Sequence, residues 1–247
     1  MSDAEYTDQG VLGSAGFSSV ASHSLQGAYK GVGAHAGASP WEGVNALDAL
    51  VSAYVNISML RQQIRPTERI HGAIVEAPKV NGNAIPAHTK VEYTVRSTTI
   101  KGAKALGDRV RLCVEAGAVA TGCDVEVEEV SGYSDLRVND SLCSSYQRQM
   151  EANGVKVLKR QGYVAAATDQ GNVSYVVPAL HAIVGIPVDD GSKNHTPEFT
   201  KAAGSVTAYE RAVLSGRAMA MTGWEILTDD KLYAEVKRDF EDDRRFR

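Results

Sequence analysis

Between Leu25 and Val130 the apolar residues change spacing in an order that few folds accept. Residues 25–36 alternate loosely and hold glycines at 27, 31 and 33, which suits an edge strand. After an entry at Pro40-Trp41-Glu42-Gly43, the side chains Val44, Leu47, Leu50, Val51, Tyr54, Ile57 and Leu60 recur at helical spacing, and Pro66 ends that helix. Ile70, Ala73 and Val75 mark a strand over residues 69–76, and Asn81-Gly82-Asn83 marks a turn. Val91, Tyr93 and Val95 mark a strand over residues 90–97. Leu106, Val110, Leu112 and Val114 give a helix over residues 100–120 that Gly122 stops, and residues 124–130 alternate strictly as a further strand. Strand, helix, strand, strand, helix, strand is the ferredoxin-like βαββαβ order. It predicts an α/β domain with a four-stranded antiparallel sheet and two helices on one face.

The pattern changes after Asn139. Residues 141–153 read as a helix stopped by Gly154, and strand-like runs follow at 155–158, 173–177 and 182–186. Residues 197–227 read as a loop and then a long helix, with Ala208, Ala212, Leu214, Ala218, Met221 and Ile226 as its apolar positions. Residues 229–247 carry charges of both signs at helical spacing, the mark of a solvated helix. Three short strands and a few helices cannot close a core comfortably. They look like one edge of a larger α/β sheet.

Composition narrows the partners. The chain has 247 residues, 43% of them hydrophobic, and a net charge of −4, so an ordinary soluble protein without a nucleic-acid footprint is expected. No apolar run approaches the ~18 residues of a membrane helix. The acidic start Met1-Ser2-Asp3-Ala4-Glu5 lacks the features of a secretory signal, and Cys113, Cys123 and Cys143 form neither an even disulfide set nor a metal-type pair. Free thiols in a reducing cytoplasm are the expectation.

Four segments carry residues with chemical potential. His35 sits between small residues, in Gly33-Ala34-His35-Ala36-Gly37, and His195 sits in Asn194-His195-Thr196-Pro197-Glu198-Phe199. Loop histidines can bind metal or hold a substrate, although alone each reads as an ordinary structural histidine. Asn83 lies in Asn83-Ala84-Ile85-Pro86, with Arg96 thirteen residues later. By themselves these are a turn residue and a solvated strand residue. Thr168-Asp169-Gln170-Gly171-Asn172-Val173-Ser174 supplies Asp169 and Asn172, and His181 follows as either a site wall or a packed core residue. Glu198 reads as a helix N-terminal carboxylate, and His23, His71 and His88 as structural or surface residues.

Together these segments resemble the aminoacylase-like zinc amidohydrolases, in the branch of dipeptidases that act on β-alanyl-lysine and Xaa-Arg substrates. The resemblance covers roughly residues 17 to 235 and implies a lid (dimerisation) domain over 25–137 and the C-terminal part of a catalytic domain over 138–247. Residues 1–24 would be a remnant of the same catalytic domain. It implies that His35 hydrogen-bonds the oxyanion formed when water attacks an amide, from the lid of a partner subunit. Asn83 and Arg96 would bind substrate, with the planar fork of Arg96 gripping a free carboxylate. Asp169, Asn172 and His181 would orient ligands or substrate, and His195 would be the last ligand of a zinc site. The implied substrate is a dipeptide or N-acyl amino acid, and the implied assembly is a homodimer through the lid.

The chain departs from the family in two places. Ala166-Ala167 stands where Gly-Ser is usual. The family's other metal ligands and its glutamate base have no counterpart here; a histidine expected near Asp8 is replaced by Thr7-Asp8-Gln9-Gly10. A truncated member is therefore expected. Its alternative functions are a non-catalytic dimerisation protein or a carboxylate binder that uses Arg96 without chemistry.

Overall fold

A computed structural model describes residues 10–79, 81–188, 192 and 194–244. In chain order its elements are β1 (Gly13–Ser14), β2 (Ser18–Ser19), β3 (Ala21–Lys30), α1 (Ala46–Leu60), β4 (Arg69–Glu76), β5 (His88–Ser97), α2 (Ile100–Thr121) and β6 (Asp124–Tyr133). They continue with α3 (Asp140–Ala152), β7 (Tyr163–Val164), α4 (Gln170–Ser174), β8 (Ile183–Val184), α5 (Pro197–Ala203), α6 (Val206–Thr228) and α7 (Asp230–Arg244). They fall into two compact units, one of residues 20–135 and one of residues 1–19 with 136–247.

The first unit has the sheet order β4-β5-β3-β6, with every neighbouring pair antiparallel. Helices α1 and α2 pack on each other and on one face of the sheet, which is the expected ferredoxin-like arrangement. Alternation builds the core: Leu25 and Tyr29 of β3 and Val91, Tyr93 and Val95 of β5 meet Leu50, Ile57, Leu106, Val110 and Val114 of the helices. The buried Tyr29 hydroxyl donates to the Val114 carbonyl at 2.9 Å. Local signals set the helix ends. The Asn45 side chain accepts from the Leu47 N–H at 2.9 Å, Thr99 caps α2 through Gly102, and Gly122 ends α2 at a φ of 76°. Gly117 allows the helices to touch, because a Cβ there would strike the Ala49 carbonyl.

One expectation for this unit is corrected. β3 is not an edge strand: it lies between β5 and β6 and starts at Ala21, ahead of the predicted Leu25. Ser22, His23 and Ser24 are buried in spite of their polarity and hide the strand's start from a hydrophobic pattern. Ser24 meets the Thr94 hydroxyl at 2.8 Å, which shows how a polar pair is satisfied there.

In the second unit, α3 packs on α6 around Cys143, Tyr146, Met150 and Ala218, and on α7 around Leu142, Leu232 and Val236. Glu225 of α6 accepts from Ser145 at 2.5 Å and Gln149 at 2.6 Å. The tail helix α7 is not merely solvated: Leu232 and Val236 are buried, Asn139 donates to the Val236 carbonyl at 2.8 Å, and Asp239 accepts from Ser141. Residues 173–177, predicted as a strand, instead end helix α4 and continue as a turn; the Ser174 hydroxyl donates to the Gly171 carbonyl and accepts from the Arg137 N–H. Residues 155–158 form no strand, though Leu158 bridges Ser14. Ala212 and Met221 face outward rather than inward. Among the described residues the sheet content is two fragments, β1 with β8 antiparallel and β2 with β7 parallel, each two residues long. All three cysteines are free thiols, and burial pushes Cys143 up to about 11.

Candidate functional site

Past Lys30 the β3–β5 ladder continues as a loop pairing. Gly31 donates to the Ala87 carbonyl at 2.7 Å, Ile85 to Ala34 at 2.8 Å, and Ala36 to Asn83 at 2.8 Å, so His35 lies opposite Ala84. The structure therefore brings His35 and Asn83 together, both exposed, at one end of the ladder. The chain then folds back beneath the imidazole: Nδ1 of His35 accepts from the Gly37 N–H at 3.1 Å and the Ala38 N–H at 3.0 Å. A nitrogen that accepts two backbone N–H groups carries no proton of its own. In the neutral ring the proton is then on Nε2, a donor presented to solvent.

Arg96 is at the other end of the same ladder. It is eight residues along β5 from His88, about 27 Å at ~3.4 Å per residue. Within one copy it does not meet His35 or Asn83. Its Nε donates to Nε2 of His71 at 3.2 Å, and its two terminal nitrogens have no protein partner among the described residues. On the sheet face away from the helices, Arg96 is paired directly with Arg69 on β4 and Ser22 on β3. Like charges side by side are unfavourable in isolation and favour an anion between or above them. Burial first, and then the Arg96 charge, lower the His71 pKa, which keeps the ring neutral and able to accept. His71 was expected to be structural. Its alternation with Ile70 gives it the same face as Arg69, and only the pairing of β4 with β5 shows that it touches Arg96.

In the second unit His181 meets Phe17 edge-on, with ring centroids 5.1 Å apart. Burial lowers its pKa and Asp169 opposes that shift, so His181 and Asp169 are within electrostatic reach. Nδ1 of His181 is buried without a hydrogen-bond partner among the described residues. Asp169 starts α4 and Asn172 lies within it, both exposed. His195 is exposed in the turn ahead of α5, and its φ of 71° is the one left-handed non-glycine conformation among the described residues. Such a conformation is uncommon and is worth explaining by function. Thr196 caps α5 through the Phe199 N–H at 3.2 Å, and Glu198 lies in its first turn. Among the described residues no three His, Cys, Asp or Glu side chains gather to hold a metal. The position near Asp8 is outside the described residues. No helix among them is long and apolar enough to cross a membrane.

Comparisons with known proteins give the chain relatives. A family model for the peptidase dimerisation domain matches residues 12–121. The chain is 38% identical to the Xaa-Arg dipeptidase of Mus musculus over 90% of its own length and 52% of the relative's, and 34% identical to that of Homo sapiens over 90% and 51%. It thus spans about half the length of the curated relatives it matches. Among solved structures, an amidase of the hydantoinase/carbamoylase family from Burkholderia vietnamiensis shares the fold, with a TM-score of 0.63 at 16% identity over 88% of this chain and 51% of that one. Residues 12–121 thus match a peptidase dimerisation domain, and Xaa-Arg dipeptidases are among the chain's relatives.

Proposed function

We propose that this chain provides the lid and part of the catalytic domain of a cytoplasmic, zinc-dependent hydrolase that cleaves the amide bond of dipeptides or N-acyl amino acids. The observation that carries the reading is the His35 imidazole, fixed by the Gly37 and Ala38 amides so that Nε2–H points outward beside Asn83. A preset donor of this kind stabilises the oxyanion that forms when water adds to an amide carbonyl. Its removal typically costs about 10²–10³ in kcat. The oxyanion then collapses, the C–N bond breaks, and the departing amine takes a proton. Asn83 would hold the substrate backbone and the free fork of Arg96 its carboxylate. His195 would be one zinc ligand, with Asp169, Asn172 and His181 orienting the groups around it. The described residues do not form a zinc centre by themselves, so the remaining ligands must come from elsewhere.

The placement of Arg96 favours a homodimer. A dipeptide spans about 7 Å, whereas His35 and Arg96 of one copy are separated by the length of a strand. One substrate could meet both only if they came from two copies. Helix α1 has a matching surface: Ala46, Ala49, Leu50, Ala53 and Ile57 face the core, while Val51, Tyr54, Val55 and Met59 form an exposed apolar stripe on its other side.

Hydrolysis of β-alanyl-lysine by the chain assembled with the complementary half of the family fold and supplied with zinc tests the reading. Arg96→Lys should raise KM at least tenfold with kcat little changed, and a substrate with an amidated C-terminus should be indifferent to that change. Equal loss on both substrates would remove Arg96 from carboxylate binding. The second reading, a dimerisation protein without chemistry, is favoured by the absence of a three-ligand group among the described residues. Stoichiometric zinc together with turnover would exclude it.

A further inference from the structure

Residues 32–44 of the lid form one closed loop. Val32 and Val44 pair across its neck, with N–H···O bonds of 2.8 and 2.9 Å in the two directions. Its interior is tied turn by turn. The Ser39 N–H donates to the His35 carbonyl at 3.0 Å, Glu42 to Ser39 at 3.1 Å and Gly43 to Pro40 at 3.1 Å. A Cβ at Gly43 would lie 3.0 Å from the Ala34 Cβ and 3.1 Å from the Ile85 side chain. The turn of Pro40–Glu42 is therefore seated on the pairing that carries His35 and Asn83. Compact surface loops with their ends held together are frequently functional.

The loop's composition is selective. Apart from His35, Trp41 and Glu42 it holds only Gly, Ala, Ser, Val and Pro. Trp41 is 79% exposed, whereas the next most exposed aromatic of the same unit, Tyr54, is 49% exposed. Tryptophan is highly buried on average, and on a slack loop it would fold down onto the surface. Here the backbone hydrogen bonds hold it out. Ser39 is bonded to His35, and Trp41 lies two residues farther on, about 7 Å of chain and the span of a dipeptide. Glu42 is the one Asp, Glu, Lys or Arg of the loop, so the fixed charge beside the indole is negative. An indole face attracts a cation more strongly than any other side-chain ring, and its apolar body packs on the methylenes that carry the cation. We propose that Trp41 is a specificity-determining residue: its indole packs on a long aliphatic substrate side chain that ends in a cation, while His35 of the same loop faces the amide. This rests on the hydrolase reading for the reaction; the recognition itself rests on the loop.

Three peptides test this on the zinc-supplied assembly: β-alanyl-lysine, β-alanyl-norleucine, which lacks the ammonium, and β-alanyl-glycine, which lacks the side chain. By kcat/KM the unaltered protein should prefer lysine to norleucine and norleucine to glycine. Trp41→Ala should lower the preference for lysine over glycine about tenfold and that for lysine over norleucine several-fold. Trp41→Phe, which keeps a ring, should retain most of both. Circular dichroism and melting of the chain should be the same for all three proteins, since the side chain is exposed. Equal losses on the three peptides in Trp41→Ala would overturn the proposal, as would preferences that the substitution leaves unmoved. An unaltered protein indifferent to the three side chains would overturn it too. Calorimetry with β-alanyl-lysine separates this proposal from the hydrolase reading. Binding that weakens about tenfold in Trp41→Ala, in a protein that turns over none of the peptides, would leave the recognition standing and contradict the hydrolase reading. Turnover with unmoved preferences would do the reverse.

Discussion

At the scale of single residues, two histidines are defined by what they accept. The Nδ1 of His35 accepts from two amides and the Nε2 of His71 from Arg96. If His71 positions Arg96, His71→Phe should raise KM for a substrate with a free carboxylate several-fold at unchanged kcat, and His71→Gln, which keeps an acceptor, should restore most of it. A purely structural His71 would leave that KM split unmoved. The lowered pKa also has a pH signature. Above about pH 6.5, the ordinary value, His71 is neutral in folded and unfolded chains alike. Below it the unfolded chain takes up the proton more readily, so stability falls as pH falls through the folded value. The same sign holds for His181, lowered by burial. Replacing both with phenylalanine should flatten the fall in melting temperature between pH 7 and 5, and an unchanged slope would deny them that role. His35 was legible as a candidate from its small neighbours, but its tautomer depends on a turn that no spacing rule encodes.

At the scale of elements, the lid could be read from sequence because its strands alternate and its helices have caps. β5 and α2 differ from their predicted bounds by a residue or two. The failures have physical causes. Polar Ser22, His23 and Ser24 are buried by pairing on both sides, so pattern alone gave β3 a late start and an edge position. Val173 and Val176 carry β propensity, but Ser174 bonded to Gly171 and Arg137 favours a helical turn. The crossing of α1 and α2 makes its own prediction. Gly117→Leu should destabilise the protein by roughly 1–3 kcal/mol through overpacking against Ala49 and Ala53, measured by chemical denaturation. Tyr54→Lys, on the exposed stripe of α1, should leave stability unchanged and convert a lid dimer to monomer in sedimentation velocity. A dimer that persists would move the interface elsewhere.

At the scale of the molecule, the two units differ in how completely they satisfy themselves. The unit of residues 20–135 has a four-stranded sheet and a continuous core. In the other, α3 packs on α6 and α7 around small cores, with two-residue sheet fragments and an exposed apolar face on α6 among the described residues. The proposed site follows the same division: His35, Asn83 and Arg96 lie in the unit of residues 20–135, and His195, the proposed zinc ligand, lies in the other. The most direct measurement is zinc stoichiometry and β-alanyl-lysine turnover for the purified chain, alone and with the complementary half of the family fold. The expected result is neither property alone, both together, and about a 10²-fold lower kcat for His35→Gln at unchanged zinc content. Turnover by the chain alone, or turnover by the complex that is indifferent to His35→Gln, would contradict the account.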